Sequence, residues 1–174
     1  MNTMAAIKTL LGTRIGVVPD TLGPESIERA VVSRMLGAQL QDPTRYLQIL
    51  TDTPDEMSKL IDEIVVTESW FFRDNKPFEY LAKWVKGRKS NDGFKAKLRV
   101  LSAPCAGGEE PFSIVMTLLD LGLTPLDFTV NAVDISQKQI DLAGKQPYGV
   151  LSFRGDQLAF RDKISSDKVQ TNSC

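Results

Sequence analysis

The 174 residues carry 21 Lys and Arg against 22 Asp and Glu, a net charge of −1 with both signs interspersed, so nothing electrostatic favours a nucleic-acid or acidic-membrane partner. Histidine is absent and the two cysteines, Cys105 and Cys174, stand far apart; this removes most catalytic triads, a disulfide framework and a zinc or other transition-metal site. With 42% hydrophobic residues and no apolar run near the ~18 residues that cross a bilayer, the composition is that of a globular protein, cytoplasmic by default.

Met1 to Thr13 holds two short apolar stretches without the layout of a signal segment. Gly23-Pro24 opens a helix that places Ile27, Val31, Met35 and Ala38 on one face. Asp42-Pro43 reads as an N-cap with proline at the first helical position, followed by Tyr46, Leu47 and Leu50 on the apolar side. Thr53-Pro54-Asp55-Glu56 has the spacing of a capping box ahead of Met57, Leu60, Ile61, Ile64 and Val65. Asn75 to Gly87 is predicted helical, with Phe78, Leu81, Ala82 and Val85 inward and Gly87 as its stop. A polar loop from Gly87 to Lys97 follows.

Beyond that loop the pattern changes. Leu98 to Ser102 is a strand candidate, Pro111 to Leu121 a helix, Phe128 to Ile135 a second strand, and Ser136 with Gln139 a second capping-box pattern opening another helix. Strand, helix, strand, helix begins a parallel α/β sheet. Two strands with their helices cannot bury both faces of such a sheet, so either further chain or a partner or dimer mate is expected to cover it. The tail from Ser165 to Cys174 is polar and expected to fray.

The turn after the first strand, Ala103-Pro104-Cys105-Ala106-Gly107-Gly108-Glu109-Glu110, sits where ligands bind in doubly wound sheets. It is neither a Walker phosphate loop nor a G-x-G-x-x-G fingerprint. It carries two acids and no base, and a carboxylate near a pyrophosphate is unfavourable by on the order of 1 kcal/mol at short range. A sulfonium-bearing and ammonium-bearing ligand is attracted instead, which points to S-adenosylmethionine over NAD or ATP. First-turn acids that merely complement a helix N-terminus remain an alternative. Asp134 ends the second strand, 24 residues after Glu110, near the ~20-residue spacing of a ribose-binding acid; a helix N-cap is its other reading. Thr67-Glu68-Ser69-Trp70-Phe71-Phe72-Arg73-Asp74 gathers hydroxyls, an aromatic triplet and an arginine, and could also be a plain helix connection with core aromatics.

Together these stretches resemble the CheR family of chemoreceptor glutamate methyltransferases. Thr67, Ser69, Phe71, Phe72 and Arg73 match its hydroxyl-then-Phe-Phe-Arg pattern; Ser102 to Ser113 match its Gly-Glu-Glu-Pro-Tyr-Ser loop with Phe112 for Tyr; Ala132 to Ile135 match its Ala-x-Asp-Ile strand end. Pro147-Tyr148-Gly149, Ser152-Phe153-Arg154 and Leu158 to Arg161 also follow the family's order. The resemblance runs from about Leu22 to Asp162. It implies an α/β protein: an all-helical N-terminal domain with its linker over 1–63, then an incomplete Rossmann-like S-adenosylmethionine-dependent methyltransferase domain over 64–174. It implies that Thr67, Ser69 and Arg73 line the methionine end of S-adenosylmethionine, that Glu110 faces its amino group, that Asp134 holds the ribose, and that Arg73 also lies near the methyl-accepting carboxylate as the catalytic residue. No metal takes part.

The implied substrate is a glutamate on the cytoplasmic domain of a chemoreceptor. Its carboxylate is ionised at neutral pH, so a histidine-free chain needs no general base. Two departures stand out. The family's second N-terminal helix is rich in arginines, whereas here the corresponding helix has only Arg29 and Arg34; and family members continue for roughly a hundred more residues, the size of the domain remainder. The alternative expectation is therefore a shortened, catalytically inactive module that docks on a receptor or signalling partner. A nucleotide-dependent α/β enzyme of another class is disfavoured by the acidic turn.

Overall fold

In the computed structural model the described residues are 2–16, 23–65, 68–91, 96–145 and 148–154. Thr67, Pro147, Leu158 to Arg161 and the polar tail lie outside them. The chain divides into two compact units, Met1–Val66 with Ile135–Lys138, and Thr67–Asp134 with Gln139–Cys174.

The first unit is built from α1 (Thr3–Ile15), α2 (Pro24–Gly37), α3 (Pro43–Asp52) and α4 (Pro54–Ile64). Helix α1 has no counterpart in the sequence reading. Its signals are short-range: the Asn2 side chain accepts from the Met4 N–H, Gly16 closes the helix at φ 68°, and Ile7 and Leu11, one turn apart, are buried. Helix α2 buries Ile27, Val31 and Met35 as its spacing predicts, while Ala38 falls at the exposed C-cap. Asp42 caps α3 through the Thr44 N–H at 2.9 Å. These helices enclose one core around Ile7, Ile27, Tyr46, Leu50, Leu60 and Ile64.

The capping box expected at Thr53-Glu56 does not form: no Thr53 side-chain bond caps α4. Glu56 turns inward instead. Its carboxylate accepts Arg34 Nε at 2.9 Å and Nη2 at 2.7 Å, and the buried Tyr46 hydroxyl donates to it at 3.1 Å. A bidentate arginine outcompetes a single backbone N–H for a carboxylate. Arg34 is thereby committed to the helical core.

The second unit contains α5 (Lys76–Asn91), β1 (Leu98–Ser102), α6 (Glu109–Asp120), β2 (Phe128–Ala132) and α7 (Gln137–Ala143). The strands pair in parallel, from Leu98 opposite Phe128 to Ser102 opposite Ala132. The second strand is three residues shorter than its expected range. Helix α5 runs past Gly87, where a side chain would meet open space and nothing forces the helix to end. Phe78 and Val85 of α5 pack with Ile114 and Leu118 of α6 and with Phe128 of β2. Along β1, Leu98 and Val100 pack against this core and Leu101, on the other face, is 65% exposed.

The Glu56 cluster sets an acid limit for the helical unit. Burial works to raise the Glu56 carboxyl, but its bonds from Arg34 and Tyr46 outweigh that and hold it below its ordinary value of 4.5. A depressed carboxyl contributes stability above its unfolded pKa and loses it as pH falls through the folded value. Glu56→Gln is expected to cost about 1–3 kcal/mol at neutral pH. The difference in thermal midpoint between wild type and variant should shrink on acidification below about pH 5; a pH-independent difference would contradict the ionic role.

Candidate functional site

The site is generated by what happens where β1 and β2 stop. Pairing continues one step beyond the strands, with Val133 N–H donating to Ser102 O at 3.0 Å and Cys105 N–H to Val133 O at 2.9 Å. The chain then turns through Ala106, in the left-handed region at φ 45°, and Gly108 at φ 100°. The Ala106 N–H donates to Asp134 Oδ2 at 2.8 Å, so the first turn and the end of the second strand are tied by a charge-assisted bond. The turn delivers the chain into α6, whose first two residues are Glu109 and Glu110.

The two glutamates have different surroundings. Glu110 is exposed, and its Oε1 accepts from the buried Ser102 hydroxyl at 2.6 Å. Glu109 is 7% exposed; its Oε1 accepts from Ser152 Oγ at 2.9 Å, while Oε2 is buried with no hydrogen-bond partner among the described residues. A buried carboxylate oxygen without a donor is costly in a protein on its own and suits a site that receives a cationic or N–H-bearing ligand. The sequence offers both acids of the turn as attracting a cationic ligand, and the family resemblance gives the amino-group contact to Glu110; the inward setting of Glu109 was not foreseen. The overlooked signal was Glu109 with Ser113 at i, i+4 on the inward face of an amphipathic helix: both are buried, and Ser113 Oγ donates to Glu109 O at 2.6 Å.

The loop with the aromatic triplet is anchored to the same helix. Phe72 N–H donates to Ser113 Oγ at 2.9 Å. Phe71 is buried, its ring 4.8 Å from Tyr148 and 5.0 Å from Phe153. Arg73 is exposed; its Nη1 donates to Glu68 O at 2.8 Å and its guanidinium lies 4.6 Å from the Trp70 ring centroid. Arg154 stacks on the same ring at 4.7 Å and bonds Glu68 Oε1 at 2.6 Å. Ser69 is half-buried in this loop. The structure thus brings Glu110 and Asp134 to the carboxyl ends of neighbouring strands and fastens the Ser69–Arg73 loop to the helix that carries Glu110; Thr67 is outside the described residues.

Cys105 lies within the turn. Burial, then the negative charge of Asp134, push its thiol up. A protonated, buried thiol is a poor nucleophile, so the chemistry of this turn belongs to its carboxylates and amides.

The family model described as CheR methyltransferase, SAM binding domain, matches residues 67–156. The probable biofilm formation methyltransferase WspC of Pseudomonas aeruginosa is 46% identical over 161 residues, covering 92% of this chain and 38% of that protein. The protein of the same name from Pseudomonas putida is 38% identical over 153 residues, 88% of this chain and 36% of the relative. The chemotaxis protein methyltransferase of Salmonella typhimurium is 31% identical over 137 residues, 77% and 46% respectively. The chain therefore spans less than half the length of these relatives.

Gly108 and Gly87 give opposite substitution outcomes. A Cβ at Gly108 would stand 2.3 Å from Tyr148 Oη and 3.0 Å from Ala143 Cβ, at a φ of +100°. Gly108→Ala is expected to destabilise by about 2 kcal/mol or more. Gly87→Ala, in mid-helix with open space around it, should stabilise by about 0.5–1 kcal/mol. Urea midpoints of both variants check this; equal effects at the two positions would contradict the tight fit at Gly108.

Proposed function

The chain belongs to the CheR methyltransferase family, and on that premise we propose that it transfers methyl groups to glutamate carboxylates on the cytoplasmic domain of a chemoreceptor-type protein. S-adenosylmethionine is the cofactor of the matched domain; when bound it supplies a methyl group on a positively charged sulfur. The observation that carries the reading is a pair of carboxylates, Asp134 just past β2, tied to the turn amide, and Glu109 at the start of α6, with a buried oxygen lacking a donor among the described residues. Negative charge concentrated at one end of a sheet, without a lysine or arginine in the turn, attracts a cationic ligand and repels a polyphosphate.

Each residue then has a task its chemistry can perform. Glu109 and Glu110 supply acceptors for an ammonium group, and Asp134 an acceptor for ribose hydroxyls. Arg73, exposed and fixed against Trp70, orients the acceptor carboxylate and carries the role of catalytic residue; Ser69 and Thr67 add hydroxyls on the same loop. The acceptor is already ionised at neutral pH, so no residue has to remove a proton. This accounts for a methyltransferase without histidine.

The first unit serves as the N-terminal helical domain of this family design, with the exposed Arg29 on α2 facing acidic partner surfaces. Arg34 is excluded from that task by its bonds to Glu56. No helix among the described residues is long and apolar enough to cross a membrane. A non-catalytic docking module is the second reading, favoured by the exposed Leu101 face of the sheet. Labelled-methyl incorporation into a receptor fragment excludes it if turnover occurs.

Calorimetric titration with S-adenosylhomocysteine tests the cofactor site. Saturable binding is expected, and Asp134→Asn should weaken it by about tenfold or more, the worth of a hydrogen bond to a charged group. No saturation at millimolar ligand would overturn the proposal.

A further inference from the structure

Seven residues after α7 make four separate ties to the site. Tyr148 Oη donates to Gly107 O at 2.9 Å. Ser152 Oγ donates to Glu109 Oε1 at 2.9 Å, and Ser152 O accepts the Phe71 N–H at 2.9 Å. Arg154 bonds the Glu68 carboxylate at 2.6 Å. One end of the segment therefore holds the acidic turn, the other end holds the loop that carries Arg73, and Ser152 holds both at once.

We propose that Tyr148 and Ser152 are positioning residues, which lock the acidic turn to the arginine-bearing loop and so set the affinity of the cofactor site. The inference rests on the reading of that turn as the S-adenosylmethionine site. Three observations give it weight. The Tyr148 ring lies edge-on to Phe71 at 4.8 Å and to Phe112 at 5.9 Å, so its hydroxyl is aimed by packing on both elements. Gly108 has no room for a side chain because the Tyr148 hydroxyl would meet it, so turn and tyrosine fit only as a pair. Finally, Ser152 holds one oxygen of Glu109, and the other is buried with no donor among the described residues. A carboxylate fixed in this way is preorganised for a ligand, whereas a freely rotating one first has to be ordered on binding.

The test is calorimetric titration of S-adenosylhomocysteine into the full chain and three variants, with a urea unfolding curve on each to establish that it is folded. Tyr148→Phe keeps the ring contacts and removes only the donor; Ser152→Ala removes the donor to Glu109; Ser152→Thr restores it. Tyr148→Phe and Ser152→Ala are each expected to weaken binding about fivefold, the value of one hydrogen bond. Ser152→Thr should recover affinity to within about twofold of wild type, which a loss of general packing would not do. Wild-type affinity in Tyr148→Phe and Ser152→Ala, or a Ser152→Thr variant no better than Ser152→Ala, overturns the inference while leaving the cofactor reading intact. A wild-type chain that fails to bind overturns the cofactor reading and this inference with it.

Discussion

The bond from the Ala106 amide to the Asp134 carboxylate is the constraint on which the site depends. It joins the turn after β1 to the end of β2, and it does so through a residue held in the left-handed region without being glycine. Such a backbone persists only where its surroundings determine it. Here they do: strand pairing fixes Val133 against Ser102 and Cys105, Asp134 follows directly, and its carboxylate receives the turn amide. Everything downstream inherits this placement, from the start of α6 to the loop that Ser113 anchors through the Phe72 N–H.

Electrostatics then divides the labour between adjacent acids. Glu109 and Glu110 both occupy the first turn of α6, where the helix dipole favours negative charge by about 0.3–1 kcal/mol. Helix geometry sends neighbours about 100° apart, so one is carried inward beside Ser152 while the other stays at the surface beside Ser102. Such a turn suits a cation and disfavours the phosphates that most Gly-rich turns at this position receive. Burial, joined by the charge of Asp134, pushes the Cys105 thiol up, which leaves the turn without a competing nucleophile.

Much of this was legible in the chain. The strand Leu98–Ser102 and the parallel α/β pattern follow from an apolar run bounded by polar and small residues. The acidic turn and Asp134 were visible because few other residues could serve a cofactor in a histidine-free sequence. What failed has local causes. Helix α1 was missed because apolar residues occur around it: Met4, Ile7, Leu11 and Ile15 face the core at helical spacing, but Ala5 and Ala6 blunt the contrast between faces. Gly87 was taken for a stop, although glycine at an exposed mid-helix position lowers helix propensity without ending the helix. Glu56 satisfied a capping motif by spacing, but a partner 22 residues earlier, Arg34, claimed its carboxylate. Long-range pairing of this kind is invisible to periodicity. The importance of Glu109 and of the 148–154 segment likewise depends on contacts some forty residues apart in sequence.

Cofactor binding of the kind proposed requires the turn and the end of β2 to form one ligand site. An amide nitrogen–proton NMR titration of the labelled chain with S-adenosylhomocysteine tests this most directly. The largest shifts are expected together at Ala106 to Glu110 and at Val133 and Asp134, saturating with a single affinity. Shifts at only one of these two segments, or confined to residues elsewhere in the chain, would contradict it.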